Sequence, residues 1–132
     1  MTTPLITGTD FVSLPTQDFE AAAEFYGDVL GLPLTKRYSR AIGGEVETGS
    51  LTIQLLEMEK IGRKFEPTTS SAIALHVDDV ETARAELESR GVSFHGETMD
   101  SGVCHMAFFT DRDGNRLILH HRYAPPGVLP PD

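Results

Sequence analysis

Basic residues are scarce in this chain: eleven Lys and Arg stand against twenty Asp and Glu, for a formal net charge of −9. Nucleic-acid binding relies on cations that displace counterions condensed on the phosphate backbone, and no local basic cluster makes up the deficit. Nucleic acid and anionic membrane surfaces are therefore disfavoured as partners. There is a single cysteine, Cys104, so no internal disulfide can form. Its neighbours Val103 and His105 suggest a strand, and the expectation is a small, inert core residue rather than a redox motif. Long hydrophobic runs are also missing, and nothing approaches the roughly 20 apolar residues that span a bilayer. The start, Met1-Thr2-Thr3-Pro4-Leu5, lacks the basic region and apolar stretch of a secretory signal, which makes the cytoplasm the expected location.

What is present is the balance of an ordinary globular domain. The 132 residues are 39% hydrophobic and 23% charged, enough for one domain that buries about two thirds of its unfolded surface.

An internal repeat is the most informative feature. The first copy reads Thr9-Asp10-Phe11-Val12-Ser13-Leu14, then Asp18, a helical stretch to Leu30, then Gly31. The second reads Ser71-Ala72-Ile73-Ala74-Leu75-His76-Val77, then Asp79, a helical stretch to Arg90, then Gly91. Asp18 and Asp79 can accept hydrogen bonds from the unpaired N–H groups of a first helical turn, and Gly31 and Gly91 suit the left-handed backbone at a helix end. Within the helices, Phe19, Ala22, Tyr26, Val29 and Leu30, and then Val80, Ala83 and Leu87, recur at three- and four-residue spacing. Each helix thus has one apolar face suited to covering a sheet.

Three strand-like runs follow each helix. They cover roughly Leu32 to Ser39, Glu45 to Glu47 and Leu51 to Glu57 in the first copy, with Gly43-Gly44 and Thr48-Gly49-Ser50 read as turns. In the second they cover Val92 to Met99, Val103 to Thr110 and Arg116 to His121, with Asp111-Arg112-Asp113-Gly114-Asn115 as a strong turn. The pattern is βαβββ, twice, an α+β domain over 1–123. Module one covers about 7–57, a charged linker 58–70, and module two about 71–123. The tail 124–132 holds four prolines, which rules out regular structure; it either docks on a partner subunit or, the blander reading, extends into solvent.

A doubled βαβββ unit with Phe25-Tyr26-Gly27-Asp28-Val29-Leu30-Gly31-Leu32 in its first helix and Asp111-Arg112-Asp113-Gly114-Asn115 near its end resembles the vicinal oxygen chelate family. That family includes glyoxalase I, extradiol dioxygenases, fosfomycin-inactivating thiol transferases and bleomycin-binding resistance proteins. The resemblance runs to about Tyr123. It implies curved mixed sheets that enclose a cavity, often between the modules of two chains, and hence a homodimer. It also implies metal ligands on the first and last strands of each module. Aligned on Asp18, Asp79 and Asp113-Gly114-Asn115, those positions fall on Phe11, Gln54, Ala72 and Ile118. A divalent cation needs imidazole, carboxylate or thiolate lone pairs at about 2 Å, and Phe, Ala and Ile offer none. One amide oxygen cannot hold a metal, so no cofactor is expected.

Five histidines remain. Alternation along a strand puts His76 on the face of Ala72 and Ala74 and His120 on the face of Ile118, with His121 pointing the other way. His76 and His120 can hold a displaced metal or act as acid and base, or they can be polar wall groups of a ligand cavity. Cys104 and His105 face opposite ways, so they are no nucleophile–base pair, and sequence leaves open which faces inward. His95 reads as a strand-surface residue. Phe11, Phe108 and Tyr38 can supply an aromatic wall. Glu45 and Glu47 share a face, where solvation explains them as well as a paired-carboxylate role, and Lys36, Arg37 and Arg40 read as a solvated edge.

The expected function is metal-independent binding or sequestering of a small molecule in a cavity lined by Phe11, Ser13, Gln54, His76, Phe108 and His120. The resemblance to drug-sequestering resistance proteins, together with the negative charge, points to a planar or cationic ligand. The alternative is a metal-dependent isomerase, lyase or dioxygenase using a displaced His76/His120 site.

Overall fold

In the computed structural model, which describes residues 3–131, the repeat is realised as two four-stranded sheets built to one plan. Module one runs β1 (Val12–Thr16), α1 (Phe19–Glu24), β2 (Leu34–Arg37), β3 (Gly43–Glu47) and β4 (Thr52–Glu57). Module two runs β5 (Ile73–His76), α2 (Val80–Ser89), β6 (Phe94–Asp100), β7 (Cys104–Thr110) and β8 (Arg116–Arg122). The strand orders, β1-β4-β3-β2 and β5-β8-β7-β6, match. In each, the first strand lies parallel to the last and the other pairs are antiparallel. Among the described residues no helix is long and apolar enough to cross a membrane.

The helix starts follow from the aspartates. Asp18 accepts the Ala21 N–H at 3.1 Å and Asp79 accepts the Thr82 N–H at 3.2 Å, each relieving a first-turn donor. Gly31 (φ 80°) and Gly91 (φ 92°) take the left-handed backbone that ends each helical segment. The first segment is longer by one residue, and the extra residue is absorbed in a π-helical turn, Phe25–Val29, closed by Leu30 N–H donating to the Phe25 carbonyl at 2.9 Å.

The turn expected at Gly43-Gly44 lies elsewhere: both glycines are in β3, and the chain reverses at Ser39–Ala41, where Arg40 (φ 60°) and Ala41 (φ 54°) take positive φ. Glycine is required in the strand by close approach. A Cβ on Gly44 would stand 2.3 Å from the Lys36 carbonyl oxygen and 2.7 Å from Cζ of Phe19. β1 also begins later than the sequence suggests, because its pairing with β4 starts at Val12–Ile53, which leaves Phe11 outside the strand. The C-terminal tail has no regular structure but folds back rather than extending into solvent. The Arg122 guanidinium donates to the carbonyls of Pro125 (3.0 Å) and Val128 (2.6 Å), and the Pro131 ring fills the space that a Cβ on Gly102 would need.

The helix-covered faces of the two sheets share one core, in which Leu14, Phe19, Tyr26, Ile53 and Leu55 of module one meet Val80, Leu87, Phe109, Leu117 and Leu119 of module two. The β7–β8 turn pins the modules. Asp113 accepts the Gln17 N–H at 2.8 Å, and Arg112 donates to the Ala21 carbonyl at 3.2 Å and to Glu24 at 3.0 Å. Burial, reinforced by the neighbouring carboxylates of Asp111 and Asp18, raises the Asp113 pKa above the ordinary aspartate range despite hydrogen bonds from Thr16 and Gln17 that lower it. The native state therefore binds this proton more tightly than the unfolded chain does. Stability falls as pH rises from the ordinary aspartate pKa through the raised one. Asp113→Asn keeps the acceptor for Gln17 and removes the charge. It is expected to add about 0.5 kcal/mol at pH 7, a small gain because solvent screens this half-buried group, and to add nothing at about pH 3. Urea melts at the two pH values check this, and an equal gain at both would show that charge is not the cause.

Candidate functional site

Each sheet has a helix-covered face and an open one. Ser13, Gln54 and Glu45 lie in register across β1, β4 and β3 on the open face of the first sheet. Their side chains join into a chain of hydrogen bonds. Ser13 Oγ donates to Gln54 Oε1, Gln54 Nε2 donates to the Tyr38 hydroxyl at 3.0 Å, and the Tyr38 hydroxyl donates to Glu45 Oε2. Desolvation, aided by the Glu45 hydrogen bond, raises the Tyr38 pKa, so the phenol stays protonated and keeps donating to the carboxylate. Lys36 Nζ lies 5.7 Å from the Tyr38 ring centroid. A cleft of about 280 Å³, lined by Ser13, Pro15, Leu56, Met58, Lys64 and Glu66, adjoins the Ser13 end.

The open face of the second sheet carries two rows. Ala74, Ile118, Phe108 and His95 form one; His76, His120 and Met106 are in register in the next, with Met99 of β6 paired to Met106. His76 and His120 are thus cross-strand neighbours, a pairing that alternation alone did not give. His76 Nε2 lies 3.4 Å from Asp78 Oδ1. Register also settles the Cys104 and His105 pair. Cys104 shares the open face with Met106 and Phe108 and is half-buried, a correction to its expected place in the core. His105 takes the opposite face, with its ring centroid 4.7 Å from that of Tyr123 and its Nε2 3.4 Å from Asp100. His121 also points away from the open face, and its buried Nδ1 has no hydrogen-bond partner.

Of the six expected lining residues, the structure joins Ser13 to Gln54, sets His76 beside His120, and places Phe108 one row along from that pair. The first two are on one sheet and the other three on the second. Phe11 lies in the coil before β1, 48% exposed. Sequence reasoning treated Tyr38 as an aromatic wall and Glu45 as a solvated carboxylate. It lacked the β3–β4 register, which sets Glu45 opposite Gln54 and within reach of Tyr38.

The donor set does not fit the metal that the fold would imply. Phe11 and Ala72 lie outside the strands, Ile118 has no lone pair, and both ends of the Gln54 amide are engaged by Ser13 and Tyr38. Among the described residues no three His, Cys, Asp or Glu side chains gather in a way that could hold an ion. What the first open face offers instead is an oriented run of donors and acceptors ending on a carboxylate.

No curated protein matches the sequence. Solved structures share the fold. A glyoxalase/bleomycin resistance protein/dioxygenase from Nocardioides is 23% identical, with a TM-score of 0.76 over 96% of this chain and 92% of that one. TnmS3, an antibiotic binding protein from Streptomyces sp. CB03234, is 23% identical, with a TM-score of 0.75 over 91% and 99%. Lactoylglutathione lyase from Agrobacterium tumefaciens is 17% identical, with a TM-score of 0.71 over 89% and 95%. The family model for the Glyoxalase/Bleomycin resistance protein/Dioxygenase superfamily matches residues 8–119. With the duplicated sheet order and the family model in agreement over most of its length, this chain belongs to the glyoxalase/bleomycin resistance protein/dioxygenase superfamily.

Proposed function

We propose that the protein is a cytoplasmic, homodimeric binder that sequesters a small organic molecule without a metal. The carrying observation is the Ser13–Gln54–Tyr38–Glu45 chain. Gln54, the one side chain at the implied ligand positions with a lone pair to give, has its amide committed to neighbours. Tyr38 and Glu45 supply an aromatic ring and a negative charge, which suit a planar or cationic ligand. The likeness to an antibiotic binding protein supports a sequestering role. In the dimer, the second-sheet face of one copy, with His76, Phe108 and His120, covers the first-sheet face of the other, with Phe11, Ser13 and Gln54. Sedimentation should give a dimer at micromolar concentration, and a monomer there would refute that arrangement.

The competing reading, a metal-dependent isomerase, lyase or dioxygenase, draws on the cross-strand pair His76 and His120. Metal analysis of tag-free protein separates the two, since stoichiometric zinc, iron, nickel or manganese would overturn sequestration. Native mass spectrometry of protein purified from its own host should show one organic adduct per site. Tyr38→Phe, Glu45→Gln and His120→Ala should each weaken retention of that adduct about tenfold, the worth of one good hydrogen bond, while circular dichroism stays unchanged. Undiminished retention in all three would place the ligand elsewhere.

A further inference from the structure

The duplicated plan lets each junction between the modules be compared with its counterpart. At the first junction the β7–β8 turn reaches α1: the Tyr26 hydroxyl donates to Asp111 Oδ2 at 2.6 Å, and Asn115 Nδ2 donates to the Pro15 carbonyl at 2.9 Å. Alignment of the helix caps Asp18 and Asp79 puts Leu87 in the place of Tyr26. Alignment of the parallel pairs Ser13–Gln54 and Ala74–Ile118 puts Leu51 in the place of Asn115. The turn hydrogen bonds match Thr48 to Asp111. Thr48 N–H donates to the Leu51 carbonyl as Asp111 N–H donates to that of Asn115, both at 3.0 Å. Thr48 Oγ1 accepts from Ser50 and Leu51 N–H as Asp111 Oδ1 accepts from Asp113 and Asn115 N–H.

The polar pin of one junction is therefore replaced at the other by Leu87, Thr48 and Leu51. All three line a cleft of about 620 Å³, together with Ile73, Ser50 and Leu119. That volume lies within the range of small-molecule sites, roughly 300–1,000 Å³, whereas protein interiors leave few voids larger than a water molecule. Of the ionisable side chains that line the cleft, the Glu86 carboxylate is occupied by Arg90 at 3.0 Å and His76 Nε2 faces Asp78 at 3.4 Å, so no unpaired charge calls for an ionic ligand.

We infer that this cleft, which meets the open face of the second sheet at Ala74 and His76, is a second small-molecule site that takes an uncharged ring bearing one hydroxyl group. The ring packs against Leu51 and Leu87 where Tyr26 packs in the other half. The hydroxyl meets Ser50 beside the turn, where the Tyr26 phenol meets Asp111. The Thr48 hydroxyl is spent on the turn itself, donating to the Leu51 carbonyl at 3.0 Å and accepting from the Ser50 and Leu51 N–H groups. A threonine hydroxyl in place of a carboxylate makes the site neutral.

The test is a titration of the full chain with 4-propylphenol and, separately, propylbenzene, followed by NMR at the methyl groups of Leu51, Ile73, Leu87 and Leu119. Saturable shifts at these methyls are expected, with the phenol about tenfold the tighter of the two. Leu87→Tyr should fill the cleft and abolish the shifts, and Leu51→Phe does so from the turn side if the first variant does not fold. Ser50→Ala should remove the preference for the phenol while propylbenzene still binds. The proposal is overturned by shifts that do not saturate, by shifts confined to the Ser13–Gln54 face, or by full affinity in a filled variant. It is equally overturned if the methyls are covered by a second copy and the probes bind only where that copy dissociates.

Discussion

Asp111→Ala is expected to destabilise the protein by about 3–5 kcal/mol, because it strands several buried donors that cost about 1–3 kcal/mol each. Asp111 is 6% exposed and its carboxylate carries four hydrogen bonds. Oδ2 accepts from the Tyr26 hydroxyl (2.6 Å) and Asn115 Nδ2 (2.9 Å), and Oδ1 accepts from the N–H groups of Asp113 (3.0 Å) and Asn115 (2.9 Å). Tyr26 and Asn115 are fully buried, so neither finds water when the carboxylate is gone. Each stranded group costs about 1–3 kcal/mol. Burial, with the Asp111 charge adding to it, holds the Tyr26 pKa well above its ordinary value, so the phenol stays protonated and keeps donating to the carboxylate at neutral pH. Tyr26→Phe removes one donor and leaves the carboxylate its other three bonds, so its loss should be smaller, about 1–2 kcal/mol. Urea unfolding of the three proteins measures the series. A loss below about 1 kcal/mol for Asp111→Ala, outside that range, would mean that the junction holds without this pin.

That pin marks the boundary of what the sequence discloses. The repeat, the aspartate caps and the closing glycines are local, each settled within a few residues by backbone donors or by φ, and the structure has all of them. The Asp111–Asn115 segment was legible as a turn, but its partner Tyr26 lies 85 residues away, where it read as one more apolar position of a helix. The site behaves in the same way. Alternation set His76 with Ala74 and His120 with Ile118, and the family layout put both rows on one face, which the β5–β8 register bears out. The link from Gln54 through Tyr38 to Glu45 depends on where the chain reverses, and two glycines that look like a turn are in fact strand residues, Gly44 under the Phe19 ring and Gly43 against the Leu55 carbonyl. A glycine required by close approach and one required by positive φ have the same letter, and only the packing tells them apart.

Gly44→Ala tests that distinction with a single methyl group. The added Cβ would meet the Lys36 carbonyl oxygen at 2.3 Å and Phe19 Cζ at 2.7 Å. The carbonyl belongs to β2, which pairs with β3, and Phe19 is buried between α1 and the sheet, so neither can move without loss of packing. The expected cost is about 3 kcal/mol, the upper end of the overpacking range, because one of the two obstacles is backbone. The same change at Gly27 supplies the control, where the nearest atom to an added Cβ is the Leu32 carbonyl oxygen at 3.8 Å and φ is not positive. Gly27→Ala should be neutral or gain up to about 1 kcal/mol from the lowered entropy of the unfolded chain. The effect of Gly44→Ala should also reach the open face. Glu45 follows Gly44 in β3, and a displaced strand lengthens its hydrogen bond from Tyr38, so the phenol should titrate closer to its ordinary pKa. With no tryptophan in the chain, ultraviolet difference spectra report tyrosine ionisation directly. If Gly44→Ala melts with the native protein and leaves the tyrosine titration unchanged, β2 and Phe19 are free to yield, and the chain from Ser13 to Glu45 does not depend on that contact.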